Sequence, residues 1–176
     1  MSGYFQEVFK KYDDATVLDN VSLEIEKGKI YGLVGRNGSG KTVLMKCICG
    51  LIKPTSGEVK VAGKTVGKDV DIPEDIGVII ETPGFIPNYS GFKNLKLLAS
   101  VRNKISNEEI RKSMEIVGLE PKSRKHVGKY SLGMRQKLGI AQAIMEKPKI
   151  LILDEPMNGL DNESVACLLY TSPSPR

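Results

Sequence analysis

Gly35-Arg36-Asn37-Gly38-Ser39-Gly40-Lys41-Thr42 fits the spacing G-x-x-x-x-G-K-[ST] without a gap. Its glycines let successive backbone N–H groups turn toward one anion, and a helix starting at its end adds a partial positive charge. Lys41 is placed to reach the outer phosphates of a nucleotide, the Thr42 hydroxyl to ligate Mg2+, and Val43 continues the first helical turn. A second group lies far along the chain, where Ile150-Leu-Ile-Leu153 runs into Asp154-Glu155. An apolar run ending in carboxylates sets Asp154 at the C-terminal edge of a sheet, where ligand crevices form. There Asp154 would hold Mg2+, directly or through water, and Glu155 is the candidate general base for an attacking water. A run ending in Asp-Glu is weak alone and strong behind a full phosphate loop.

These groups need strands and helices to hold them. Val21, Leu23 and Ile25 alternate with polar neighbours as in a half-buried strand, and Lys29–Val34 reads as a second, more buried one feeding the loop. A helix is expected from about Lys41 to Cys49, closed by Gly50. Val59 and Val61 mark another strand, and Ile76–Ile80 a short apolar one. The middle of the chain is helical in pattern. One helix spans about Ser90–Ser100, and a second opens on a Ser106–Glu109 capping box, with Ile110, Met114 and Val117 on one face. A third follows Ser131 as N-cap, with Met134, Leu138 and Ala141 on one stripe. Phe85, Ile86, Tyr89 and Phe92 read either as packing among these helices or as a groove for a partner's short helix.

Composition narrows the class. The chain has 176 residues, enough for one domain with an insert, and 26 Lys+Arg against 21 Asp+Glu give a net charge of +5. Part of that surplus sits in Lys122, Arg124, Lys125 and Lys129 around His126, a solvated surface; with 6% aromatics and no Trp, no nucleic-acid partner is expected. Three cysteines make no complete disulfide framework, and Cys47 and Cys49 lack the further ligands of a zinc set. No apolar run approaches the ~20 residues of a membrane helix, and the start has no signal-peptide pattern, so a cytoplasmic address is expected.

Tyr130-Ser131-Leu132-Gly133-Met134-Arg135-Gln136 resembles the signature of ABC-type ATPases, matching at Ser131 and Gly133 and departing at Leu132 and Met134. Asn158-Gly-Leu-Asp161 is similar to the loop after that family's Walker B carboxylates, and Tyr12 matches the aromatic that stacks on adenine there. The order of Tyr12, phosphate loop, Glu81, signature, Walker B and Asp161 is the family's, over about residues 5–165. The resemblance implies an α/β fold, with a P-loop NTPase core, an antiparallel β portion and a helical insert. ABC-type domain bounds of 1–166 are expected, with the helical subdomain at about 85–148. It also implies ATP and Mg2+ as ligands and a head-to-tail dimer. In that dimer Ser131 and Gly133 of one subunit face the ATP on the other's loop, with Tyr12 and Asp161 completing the site. A transmembrane permease, at the inner face of the cell membrane, is the implied partner.

Glu81 stands where the family usually has a Gln that contacts Mg2+ or water and links the site to the permease. Ile79-Ile-Glu81-Thr-Pro-Gly-Phe85, with Ile86–Leu95 after it, resembles the branch associated with bacitracin and lantibiotic export or immunity. The alternative is a harmless Glu-for-Gln replacement in an exporter of other cargo. Two further readings stay open: a soluble ABC-type ATPase acting on ribosomes or DNA, and a nonfunctional fragment. The 81–131 stretch is too short for the long coiled-coil arms of DNA-repair relatives. The resemblance stops near Ala166, before a further strand and the histidine that would follow it; His126 is not that histidine. Cys167–Arg176, with Pro173 and Pro175, is therefore expected to be a non-native tail, the C-terminal strands to be missing, and the chain to fold poorly.

Overall fold

The computed structural model describes residues 3–81 and 83–156. Asp161, the loop around it and the Cys167–Arg176 tail lie outside the described residues. The chain divides after Glu74 into two compact units, and each combines helix and strand, an α/β fold.

In the first unit, strands β1 (Gly3–Tyr12), β2 (Ala15–Ile25), β3 (Ser56–Val61) and β4 (Lys64–Thr65) form an antiparallel sheet in the order β2-β1-β3-β4. Helix α1 (Lys41–Ile48) packs on β2 and β3 through Leu44, Met45, Cys47 and Ile48. Its end is as the sequence predicts, with Cys49 as C-cap and Gly50 following at φ 75°. The sheet's side of this core is Phe5, Val8, Leu18, Val59 and Val61. Cys47 and Cys49 are free and buried, and burial pushes the Cys49 thiol up to about 12.

Strand β1 was not anticipated, because its register breaks between Phe5 and Val8. Glu7 takes φ 48° there, so the buried positions run Phe5 then Val8, out of period two. Asn20, at φ 48°, does the same to β2: Leu18 is buried one phase out from Val21, Leu23 and Ile25. The pattern therefore shows only the second half of that strand.

Lys29–Val34 corrects the sequence reading. It forms no strand, and Ile30, Tyr31, Leu33 and Val34 are exposed, Val34 at 97%. A strand is held by the ladder it shares with a neighbour and by cover on its faces. Among the described residues no segment is laddered to this run.

The second unit pairs β5 (Ile76–Ile79) with β6 (Ile150–Leu153) in parallel, from Ile76 opposite Ile150 to Ile79 opposite Leu153. Helices α2 (Gly91–Arg102), α3 (Asn107–Ile116) and α4 (Leu132–Ile144) lie between the two strands in sequence. Each opens on a serine cap: Ser90 Oγ accepts from Lys93 N at 3.3 Å, Ser106 from Glu109 N at 3.3 Å, and Ser131 from Met134 N at 3.2 Å. The Ser106 cap is a full capping box. Leu95, Ile110, Met114, Val127, Tyr130 and Leu138 form the main core of the helices, with Phe85 and Phe92 packed on its edge. Ile140 and Ala143 of α4 close over Ile79 of β5.

Candidate functional site

Close contacts within the first unit shape the phosphate loop. A Cβ on Gly35 would lie 2.6 Å from Ser39 Oγ, so a larger residue there would push the serine hydroxyl aside as the loop folds onto itself. Gly40, the N-cap of α1, sits at φ 85° with Val17 O where a Cβ would come within 2.7 Å. Val17 is the extra residue of a bulge in β2, where the register steps from Lys10–Leu18 to Lys11–Thr16. The loop's end thus rests on the same hairpin that carries Tyr12. Lys41 Nζ spans the loop, donating to Gly35 O at 2.8 Å and Arg36 O at 2.9 Å. Arg36, Asn37 and Ser39 are exposed along the loop, Gly38 turns it at φ 79°, and Thr42 and Val43 lie half-buried in the first turn of α1.

Lys41 reaches back over the loop mouth, next to the start of the eight-residue helix α1, where the helix dipole adds partial positive charge. The arrangement fits a polyphosphate, whose oxygens would take the ammonium's bonds in place of the two carbonyls. Tyr12 ends β1 with 44% of its surface exposed, and Lys10 Nζ lies 4.8 Å from its ring centroid.

The second unit gathers the remaining described candidates. Because β5 and β6 run parallel and in step, Glu81 and Asp154-Glu155 leave the same edge of the pair. Asp154 N still donates to Ile79 O at 2.8 Å, so the ladder runs one residue beyond β6. Glu81 and Glu155 then turn at φ 61° and 46°, both exposed, ending the strands as the carboxylates begin. Among the described residues no three His, Cys, Asp or Glu side chains gather as a metal cluster.

Ser131 and Gly133 stand at the start of α4, Ser131 exposed and Gly133 half-buried. Lys125 Nζ lies 3.9 Å from Met134 Sδ, and Arg135 Nη2 donates to Gly128 O at 3.4 Å, so this helix start is set among cations. Exposed His126 sits in the same stretch, bridged to Ser90.

Three residues with a part here had no assigned role in the sequence reading: Lys10 and two buried amides. Asn94 Oδ1 accepts from Ile86 N at 2.8 Å, and its Nδ2 donates to Ile86 O and Ser90 O, fastening the loop after Glu81 to α2. Val127 N and Gly128 N donate to Tyr89 O and Pro87 O, each at 2.9 Å, tying that loop to the segment ahead of Ser131. Asn94 shares the buried stripe of Gly91, Leu95 and Ala99, and a polar residue on such a stripe is the signal that could have found it. Gln136 Nε2 donates to Pro156 O at 3.4 Å, linking the signature helix to the turn after Glu155.

The sequence model of the family described as ABC transporter matches residues 18–158. An uncharacterized ABC transporter ATP-binding protein of Bacillus subtilis (strain 168), YybJ, is 49% identical over 157 residues, covering 89% of this chain and 72% of that protein. The bacitracin transport ATP-binding protein BcrA of Enterococcus faecalis is 47% identical over 157 residues, again 89% of this chain; the chain spans about half (51%) of its length. In structure, the dimeric bacterial ABC transporter cassette MJ0796 superposes with a TM-score of 0.84 at 24% identity, covering 96% of this chain and 80% of that one. A phosphate loop braced by Lys41, carboxylates leaving one parallel edge and a serine-capped signature helix thus coincide with a family match over most of the chain: it belongs to the ABC transporter family, among its ATP-binding proteins.

Proposed function

We propose that this chain binds and hydrolyses ATP as part of a membrane exporter for peptide antibiotics of the bacitracin or lantibiotic kind. One observation carries the nucleotide chemistry: Lys41 anchored across the Gly35–Arg36 carbonyls at the start of α1, where an anion would replace them. Similarity to a bacitracin transport protein, together with Glu81 at the edge it shares with Asp154 and Glu155, supports the cargo class.

In this reading the loop from Gly35 to Val43 holds the phosphates and Tyr12 takes the adenine. Thr42, Asp154 and Glu81 are the groups that would hold Mg2+, which when bound offsets charge on the phosphate oxygens. Glu155 accepts the proton of the attacking water. Ser131 and Gly133, at the positive end of α4, face the phosphates bound by a second copy, and Asp161 belongs to the same interface. That the cassette MJ0796 forms a dimer supports this pairing. The ABC-type domain is taken as 1–166, with 85–148 as its helical subdomain. The partner permease places the protein on the inner face of the membrane, and the 86–90 loop, with Ile86 exposed, is where it would dock.

The test is protection of a bacitracin-sensitive host that expresses the protein with its neighbouring permease. Glu155→Gln is expected to keep MgATP binding, stop hydrolysis and abolish protection, whereas Glu81→Gln keeps ATP binding and lowers protection. Normal turnover in Glu155→Gln removes the general-base assignment. Unchanged protection by Glu81→Gln against every such peptide removes the cargo class.

A further inference from the structure

Lys10 belongs to none of the motifs, yet its ammonium has three neighbours in the first unit. Nζ donates to Lys53 O at 2.9 Å and lies 4.8 Å from the centroid of the Tyr12 ring. Its charge also reaches the Cys47 thiol on the buried side of α1, opposing the rise that burial causes there. Residues two apart on a strand share a face, and the bulge between Lys10 and Lys11 places its extra residue on β2, so this spacing survives in β1.

The ammonium is held from behind. The segment that supplies Lys53 O is fastened to the same strand, with Thr55 N donating to Phe9 O at 2.8 Å and Lys11 N donating to Thr55 Oγ1 at 3.0 Å. Lys10 is therefore a fixed post rather than a freely swinging side chain. Tyr12 has few other restraints, being 44% exposed at the last position before the hairpin turn. A cation against one ring face orients the ring and draws its π-density toward that side, which suits the opposite face to an electron-rich purine.

We propose that Lys10 is a positioning residue of the nucleotide site, holding the Tyr12 ring in the orientation that stacks on the base. This inference rests on the adenine-stacking role given to Tyr12 under Proposed function. It separates the base from the phosphates: Lys10 acts on the part of the affinity that comes from the purine, and Lys41 on the part that comes from the phosphate chain.

The experiment measures MgATP and inorganic magnesium triphosphate binding by calorimetry on the whole chain, with a melting curve for each variant. Lys10→Met keeps the stem and removes the charge. It is expected to weaken MgATP by about two- to fivefold, the equivalent of the ~0.5–1 kcal/mol of an exposed cation–π contact, and to leave triphosphate affinity unchanged. Lys10→Arg, which also presents a cation to an aromatic face, is expected to restore MgATP affinity. Equal MgATP affinity in Lys10→Met and the unaltered chain, with Tyr12→Ala still weakened, overturns the role of Lys10 alone. A parallel loss of MgATP and triphosphate in Lys10→Met also overturns it, since the effect is then on the unit's folding. Normal MgATP binding by Tyr12→Ala overturns the stacking reading itself, and Lys10's part with it.

Discussion

Lys29–Val34 and Ile150–Leu153 look alike in the sequence. Each is a short apolar run that ends where the chemistry begins, one at Gly35 and the other at Asp154. The second is a strand, laddered to β5 along its whole length. The first has no ladder and leaves Val34 97% exposed. Hydrophobic runs mark where a strand is possible, but the partner's hydrogen bonds and cover decide whether one forms. The paired run is also pinned where it starts: Lys149 N donates to Asp75 O at 2.8 Å, and Lys149 Nζ meets Asp75 Oδ2 at 3.0 Å. Among the described residues the other run is held near its start only by local exposed contacts, the Glu26–Lys29 pair, which is worth little, and Glu26 N donating to Tyr31 Oη at 3.1 Å.

The largest expected effect tests the paired side. Ile79 is 3% exposed and lies under Ile140 and Ala143 of α4. Ile79→Ala removes that packing and leaves a cavity, so unfolding free energy should fall by about 2–5 kcal/mol, read from denaturant melts. A loss below ~1 kcal/mol would mean that the β5–β6 layer carries little of the second unit's stability.

The same contrast explains what could be read in advance. The helices after Ser106 and Ser131 were legible because those serines are local caps, and a cap with its apolar stripe needs no distant partner. The phosphate loop was legible for the same reason, its spacing being fixed within eight residues. The strands were legible only where their register was regular. The bulges at Glu7 and Asn20 shift the alternation, hiding β1 and half of β2, and no local pattern announces them. Among the candidate residues, Glu81, Asp154 and Glu155 share an edge through the long-range pairing of β5 with β6. Their positions in the sequence, some seventy residues apart, cannot state that register.

The next effect concerns the loop behind the unpaired run. Its shape comes from Gly40 against Val17 and from Lys41 on Gly35 O and Arg36 O, not from any ladder before it. Lys41→Ala should therefore weaken MgATP by ~1.5–3 kcal/mol, the range for a hydrogen bond to a charged group, while Leu33→Ala leaves affinity unchanged. Calorimetry on both variants distinguishes them. A matching loss in Leu33→Ala would show that the loop depends on the run ahead of it.

Acid should loosen the paired side in a defined window. Glu109 accepts from Lys147 Nζ at 2.7 Å and from Ser106 N at 3.0 Å, and these partners, Lys147 foremost, lower its carboxyl from 4.5 to about 2. Asp75 is also held below its ordinary 3.8, chiefly by Lys149. A carboxylate with a depressed folded pKa contributes stability above its unfolded value and loses it as pH falls through the folded one. The melting temperature should thus drop between about pH 4.5 and pH 2. Glu109→Gln should lower it at neutral pH and flatten the acid limb. An acid limb of the same steepness in Glu109→Gln would assign the loss to other carboxylates.

The smallest effect bears on the unpaired run and decides the comparison. Val34 is 97% exposed, so replacing it by a small polar residue removes almost no buried surface. Val34→Ser should change unfolding free energy by no more than about ±0.5 kcal/mol, the usual range for surface positions. Denaturant melts of Val34→Ser beside Ile79→Ala measure both sides of the contrast in one experiment. If Val34→Ser costs as much as Ile79→Ala, the run is covered in solution, and a strand partner for Lys29–Val34 has to be sought outside the described residues. A flat response, with Ile79→Ala strongly destabilised, leaves the ladder as what separates two runs that the sequence makes look equivalent.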